Sequence, residues 1–237
     1  MAPFRQLEDQ GEFILYDPQA IPQIDKRWFQ LEYWQNQQAL LGGAPGRGTS
    51  VFIQTPAGEA VWRHYHRGGL PGRFIKDLYL WTGLRTTRAW QEMHLTQKLL
   101  ALGLPVPRPL AARVQRLGGV YKADLITLRI PKALPLSDYL PQVDAAEQKQ
   151  ALQAAAITIH RFHQAGLNHT DLNPRNLLIQ ADNKKVWLID FDRCQLNQPE
   201  PKTAQRNLER LYRGLIKVDA HQAGVWYDWL QRAYAQQ

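Results

Sequence analysis

The stretch His169-Thr170-Asp171-Leu172-Asn173-Pro174-Arg175-Asn176, followed shortly by Val186-Trp187-Leu188-Ile189-Asp190-Phe191-Asp192, constrains this chain more than any other. Two short apolar runs, Leu177-Leu178-Ile179 and Val186 to Ile189, flank Ala181-Asp182-Asn183 and predict a hairpin that returns Asp190 toward Asp171. The chain must therefore bring two carboxylates and the Asn176 amide together in loops at the ends of short strands. Oxygen donors in that number suit a hard cation and the phosphates it carries, which is what phosphoryl transfer requires.

The surroundings are consistent with a packed enzyme. The 237 residues are 44% hydrophobic and 21% charged, enough apolar material for a real core in one large domain or two small lobes. Asp144 to Ala165 reads as an amphipathic helix, with Leu152, Ala155, Ala156, Ile159, Phe162 and His163 on one face and Gly166 as its stop. That helix should pack against the loop carrying Asp171. Two further helices follow, one presenting Leu208, Leu211 and Leu215, the other Trp226 and Leu230.

The first half reads differently. A strand over Glu12 to Tyr16 precedes an aromatic helix over Asp25 to Leu41 and a glycine-rich loop from Gly42 to Gly48. Thr49 to Gln54 and Ala60 to Tyr65 form a hairpin, and Thr86 or Thr87 caps a helix that runs to about Leu102. Leu110 to Arg116 and Val120 to Ile130 are strands joined at Gly118-Gly119, and Ile130-Pro131-Lys132 is a candidate hinge. The fold class expected is α+β: residues 1–130 as an antiparallel-sheet lobe with one helix near 87–102, and residues 131–237 as a mainly helical lobe. Together they make one two-lobed domain.

Each part has a chemical assignment. Gly46 and Gly48 would let backbone amides approach phosphates without a side-chain clash. Ala60-Val61-Trp62-Arg63 has the pattern of a strand that presents a phosphate-holding cation, with Arg63 where lysine is usual and Glu92 on the next helix to orient it. Asp171 would accept or orient the acceptor hydroxyl's proton, and Asn176 and Asp190 would bind Mg²⁺. Arg67, Arg73 and Arg175 are candidate contacts to an anionic acceptor.

Composition excludes other chemistry. The single cysteine, Cys194, rules out an intramolecular disulfide or a multi-cysteine metal site and agrees with a reducing compartment. Formal net charge is +8, which favours an anionic partner such as nucleotide, nucleic acid or an acidic membrane surface without choosing among them; nucleotide is expected here and nucleic acid is not. The N-terminus lacks the apolar core of a signal peptide, and no run reaches the roughly 18 apolar residues of a spanning helix, so any membrane contact would be peripheral.

These residues carry a resemblance. Arg63-His64-Tyr65-His66-Arg67-Gly68-Gly69-Leu70, Gly103-Leu104-Pro105-Val106-Pro107-Arg108-Pro109, Asp171-Leu172-Asn173, Asn176, Leu188 to Arg193 and Asn207 to Leu211 together are similar to the lipopolysaccharide core kinases, within the protein-kinase-like superfamily. The resemblance spans roughly Phe29 to Lys217. It implies transfer of the ATP γ-phosphate to the 4-hydroxyl of a 3-deoxy-D-manno-octulosonic acid (Kdo) residue on a lipid A precursor. The implied location is the cytoplasmic face of the inner membrane of a Gram-negative bacterium, in peripheral contact with anionic lipid. Heptose phosphorylation and a non-catalytic binding module are the competing readings. Asp192 in place of the usual glycine, and the lack of an A-P-E segment, argue against a phosphorylation-controlled activation loop.

Overall fold

The computed structural model describes residues 3–43, 50–66 and 77–237. The chain divides into two compact units. The first comprises Met1–Gln97 and Arg108–Arg129, the second Lys98–Pro107 and Ile130–Gln237.

The first unit is built on an antiparallel sheet. Strands β1 (Arg5–Asp9), β2 (Glu12–Tyr16), β3 (Leu40–Gly43), β4 (Ser50–Thr55), β5 (Gly58–His64), β6 (Tyr79–Leu80), β7 (Pro109–Leu117) and β8 (Val120–Leu128) run in the spatial order β1-β2-β7-β8-β5-β4-β3, with β6 also on β8. One face holds Ile14, Tyr16, Trp28, Phe29, Trp34, Ile53, Ala60 and Ile126, and a separate cluster contains Leu15, Tyr65, Ala89, Trp90, Met93 and Leu125. The alternation of β5 assigns Arg63 and Tyr65 to one face and Trp62 and His64 to the other.

Residues 25–41 are not the single helix that their composition suggests. Asp25 caps a short 3-10 turn over Lys26–Phe29 by accepting from the Arg27 N–H, Gln30 is extended, and helix α1 spans only Leu31–Asn36. Gln38 then adopts φ +53° and the chain enters β3. The buried aromatics Trp28, Phe29 and Trp34 set this path, because they fill the sheet face and do not follow a helical period. Helix α2 (Arg88–Ala101) forms as expected, but Thr87 does not cap it with its side chain: the hydroxyl donates to the Leu84 carbonyl, and the Tyr121 hydroxyl serves the Arg88 N–H. Strand β8 ends at Leu128, two residues before its expected end. Strand β1 had no signal, since all five of its residues are exposed.

The second unit is mainly helical. Strand β9 (Ala133–Pro135), helix α3 (Leu136–Tyr139), helix α4 (Ala145–Gln164) and strands β10 (Leu167–Asn168), β11 (Leu177–Gln180), β12 (Val186–Leu188) and β13 (Gln195–Leu196) precede α5 (Pro201–Val218) and α6 (Ala223–Ala235). Asp144 caps α4 through the Glu147 N–H, and the helix buries Leu152, Ala155, Ala156, Ile159 and Phe162. It packs along α6, where Trp226 Nε1 donates to Gln148 Oε1 at 2.9 Å and the Tyr234 hydroxyl pairs with His163 Nδ1 at 2.8 Å. Gly166 ends α4 at φ +84°, and a Cβ there would lie 1.7 Å from the Asn197 carbonyl oxygen. No other residue type fits that position, which turns the chain into β10 and the loop that follows.

Candidate active site

In the first unit, β5 places Arg63 opposite Leu125 of β8, and α2 carries Glu92 to the same face. Arg63 Nη2 donates to Glu92 Oε2 at 2.5 Å, and the Tyr65 hydroxyl donates to the same oxygen. The guanidinium also reaches the Tyr65 oxygen at 3.2 Å and lies over its ring, 4.7 Å from the centroid. Glu92 is 3% exposed against 25% for Arg63, so a buried carboxylate anchors a cation that reaches solvent. The expected pairing of Arg63 with Glu92 is therefore present, and Tyr65 is a third member that sequence reasoning missed.

The opposite face of β5 carries a second charged group. Asp124, fully buried, accepts from Trp62 Nε1 at 3.0 Å and from Arg113 Nε at 2.8 Å, and pairs with His64 Nδ1 at 2.8 Å. His64 Nε2 lies 3.4 Å from Asp77. Burial lowers the His64 pKa, but the hydrogen bonds and charges of Asp124 and Asp77 outweigh it and the net shift is upward.

In the second unit, the predicted hairpin forms between β11 and β12, with Leu177 opposite Leu188. Its ladder extends one step, the Ile189 N–H donating to the Asn176 carbonyl at 3.0 Å, and so places Asp190 next to Asn176. Asn176 Nδ2 in turn donates to the Asp171 carbonyl at 2.9 Å and lies 3.5 Å from its carboxylate. Asp171, Asn176 and Asp190 are thus brought together. Asn173 closes the loop by donating to the Asp171 carbonyl and accepting from the Arg175 N–H, each at 2.9 Å. Asp190 itself sits at φ +65°, a left-handed conformation uncommon outside glycine but one that Asp adopts more readily than most residues.

His169 ties these loops to each other. It is 1% exposed, and its Nε2 donates to the Ile189 carbonyl at 3.1 Å, directly before Asp190. A carbonyl can only accept, so the proton resides on Nε2 and Nδ1 is left without a partner. Burial pushes the His169 pKa down, against the Ile189 carbonyl and the charges of Asp190 and Asp171, so the ring is neutral. His169 is a strut and not a base.

Helix α5 holds the strut. Asn207, fully buried, accepts from the His169 N–H at 2.9 Å and donates to the Thr203 carbonyl at 2.6 Å and to Asn168 Oδ1 at 3.1 Å. Arg210 Nη1 reaches the His169 carbonyl at 3.5 Å. At Gly214 a Cβ would stand 2.4 Å from Pro174 Cδ, so the helix and loop approach at a distance that only glycine allows. Asn207 lies next to the apolar face of Leu208, Leu211 and Leu215, and a polar residue at such a position was the one signal available.

The donor set fits a hard cation. With Asn176 Nδ2 committed to the Asp171 carbonyl, Oδ1 is the amide atom left to ligate, and Asp190 adds a carboxylate. Among the described residues there is no group of three or more His, Cys, Asp or Glu able to hold a metal. Arg175 is exposed and joins the loop through its backbone N–H. Gly46, Gly48, Arg67 and Arg73 lie outside the described residues.

An antiparallel sheet with a cation–carboxylate pair, and a helical unit with an Asp-Asn-Asp set, define a kinase of the protein-kinase-like α+β fold. The solved structure of WaaP in complex with acyl carrier protein shares this fold, with a TM-score of 0.53 over 89% of this chain and 86% of that one, at 15% identity. Residues 31–234 match the lipopolysaccharide kinase (Kdo/WaaP) family. The chain belongs to that family and is a phosphotransferase acting on a hydroxyl acceptor. It is similar along nearly its whole length to proteins named 3-deoxy-D-manno-octulosonic acid kinase. That of Vibrio parahaemolyticus serotype O3:K6 is 40% identical over 235 residues, 98% of this chain and 94% of its own. That of Haemophilus influenzae (strain 86-028NP) is 39% identical over 219 residues, 90% of each.

Proposed function

We propose that this protein transfers the γ-phosphate of ATP to the 4-hydroxyl of a Kdo residue on a lipid A precursor. The observation that carries this reading is near-full-length similarity to Kdo kinases in a chain whose Asn176 is hydrogen-bonded to Asp171 and whose Asp190 follows the strand residue Ile189 that is bonded to Asn176. In the reaction the acceptor oxygen bonds to the γ-phosphorus, the bond from that phosphorus to the ADP oxygen breaks, and the hydroxyl proton passes to the Asp171 carboxylate. Asn173 and Asn176 hold the Asp171 backbone so that its carboxylate keeps one orientation. Asn176 and Asp190 are the residues that would hold Mg²⁺, which when bound neutralises phosphate charge. Arg63, kept in place by Glu92, binds phosphate oxygens, and Arg175 is offered as a contact for the acid group of the sugar.

We place the enzyme at the cytoplasmic face of the inner membrane, in peripheral contact with anionic lipid. A lipid-borne acceptor and a net charge of +8 support this location, and no helix among the described residues is long and apolar enough to cross a membrane. Incubating purified protein with ATP, Mg²⁺ and a Kdo-bearing lipid A precursor should yield phosphorylated lipid by mass spectrometry. Transfer to a heptose acceptor and to no Kdo acceptor would move the assignment to heptose.

A further inference from the structure

A lysine at the position of Arg63 would need only a carboxylate nearby, because an ammonium is close to a point charge with three rotatable donors. An arginine asks for more. Its guanidinium is planar, and its donors are useful to a phosphate only when that plane is held in one orientation. Among the described residues, Arg63 is held by Glu92 and by Tyr65 at once. Glu92 Oε2 takes Nη2 at 2.5 Å, and the Tyr65 ring lies under the guanidinium carbon at 4.7 Å while the Tyr65 oxygen is 3.2 Å from the same Nη2. The hydroxyl donates its own proton to Glu92 Oε2, which closes a triangle of three groups.

The components are stiff. Tyr65 follows Arg63 by two residues on one face of the strand, its backbone N–H is fixed to the Ala123 carbonyl at 3.0 Å, and its side chain is 4% exposed. Glu92 sits on the second turn of a regular helix and is 3% exposed. Neither can follow a guanidinium that rotates, so both resist its rotation.

We propose that Tyr65 is a positioning residue for nucleotide binding: its ring sets the plane of the Arg63 guanidinium and its hydroxyl fixes the carboxylate that anchors it. Arg63 with Tyr65 then does what one lysine does in other kinases. This rests on the reading that Arg63 binds nucleotide phosphates, and the two ideas fail separately.

The test is equilibrium binding of a non-hydrolysable ATP analogue to the full chain by calorimetry, together with KM for ATP and kcat. Tyr65→Leu should weaken nucleotide binding about tenfold and raise KM for ATP in parallel while kcat falls less than about threefold; Tyr65→Phe, which keeps the ring and volume, should cost about threefold. In the Arg63→Lys background Tyr65→Leu should cost no more than the roughly threefold that loss of the hydroxyl carries, because an ammonium has no plane to set. That non-additivity is what a merely structural role for Tyr65 would not produce. Equal cost of Tyr65→Leu in both backgrounds, or unchanged nucleotide affinity in both Tyr65 variants, overturns the proposal. Unchanged affinity in Arg63→Ala overturns instead the reading of Arg63 on which it rests.

Discussion

The two units hold their functional groups by opposite electrostatic means. In the first, Arg63 is gripped by the charge of Glu92, and on the other face Asp124 gathers His64, Arg113 and Trp62 around a buried negative charge. In the second, the Asp171 loop is held mainly by neutral groups, the amides of Asn173, Asn176 and Asn207, backbone carbonyls, and a histidine kept uncharged by burial, with the Arg210 guanidinium also reaching the His169 carbonyl. The difference follows from what each unit presents. A cation is steadied by a buried counter-charge, whereas acidic residues beside phosphates would lose their use if fixed cations neutralised them. Neutral donors orient the Asp171 loop without adding a fixed cation against its carboxylate.

Asp171→Ala is the sharpest break in the second unit. Loss of a positioned proton acceptor should lower kcat by about three orders of magnitude, within the range for general-base removal, while binding of an ATP analogue stays near wild type. Rapid-quench measurement of phosphotransfer beside calorimetric nucleotide binding checks both halves. Wild-type turnover in this variant would remove Asp171 from the mechanism.

The neutrality of the second unit also predicts how it responds to acid. Burial lowers the His163 pKa to about 4, with the neighbouring His160 and His169 adding to the shift, and His169 moves the same way. Between pH 6.5 and about 4 the unfolded chain binds protons that the folded one refuses, so stability is lost as pH falls through this window. Protonation of His163 alone accounts for a loss on the order of 3 kcal/mol. Hydrogen exchange followed by mass spectrometry should show protection of α4 and α6 falling over that range, and constant protection would mean that His163 is not held neutral.

Asn207→Ala should cost about 2 kcal/mol in urea unfolding, because the His169 N–H and the Thr203 carbonyl both lose a buried partner. Asn207→Asp separates neutral from charged support. A carboxylate would keep the bond from the His169 N–H but oppose the oxygens of Thr203 and Asn168, so its destabilisation should ease as pH falls and the carboxyl protonates. An Asn207→Asp protein as stable as wild type at neutral pH would show that the network tolerates charge.

What was legible in the sequence follows the range of the interactions. Asp171, Asn176 and Asp190 could be read because a short loop and a hairpin fix their spacing locally. The Arg63–Glu92 pair was readable from element order. Asn207 was not, since its partner His169 lies 38 positions away and nothing in either segment names the other. Tyr65 appears in the sequence only as part of the Arg63 to Leu70 segment, and its place beside Arg63 and Glu92 in the core depends on the fold. The aromatic run around Trp28 and Trp34 was misread as one helix because burial on a sheet face, and not helical period, decides its path.

The smallest effect tests the charged side of the comparison. In the first unit burial opposes the charged His64, but the hydrogen bonds and charges of Asp124 and Asp77 win and its folded pKa stands above the ordinary 6.5. Its contribution to stability is therefore fully present below pH 6.5 and is lost as pH rises through the raised value, the reverse of His163. His64→Asn keeps a hydrogen-bonding group without the titration, so the variant should lack the decline in first-unit stability that the wild type shows above pH 6.5. The effect is smaller than that of His163, because His64 is 23% exposed and Asp124 retains Arg113 on its other oxygen. Hydrogen exchange at β5 and β8 reads it directly. Parallel pH profiles for wild type and His64→Asn would mean that Arg113 and Trp62 satisfy Asp124 without the histidine, and the charged network would then be one ion pair and an indole.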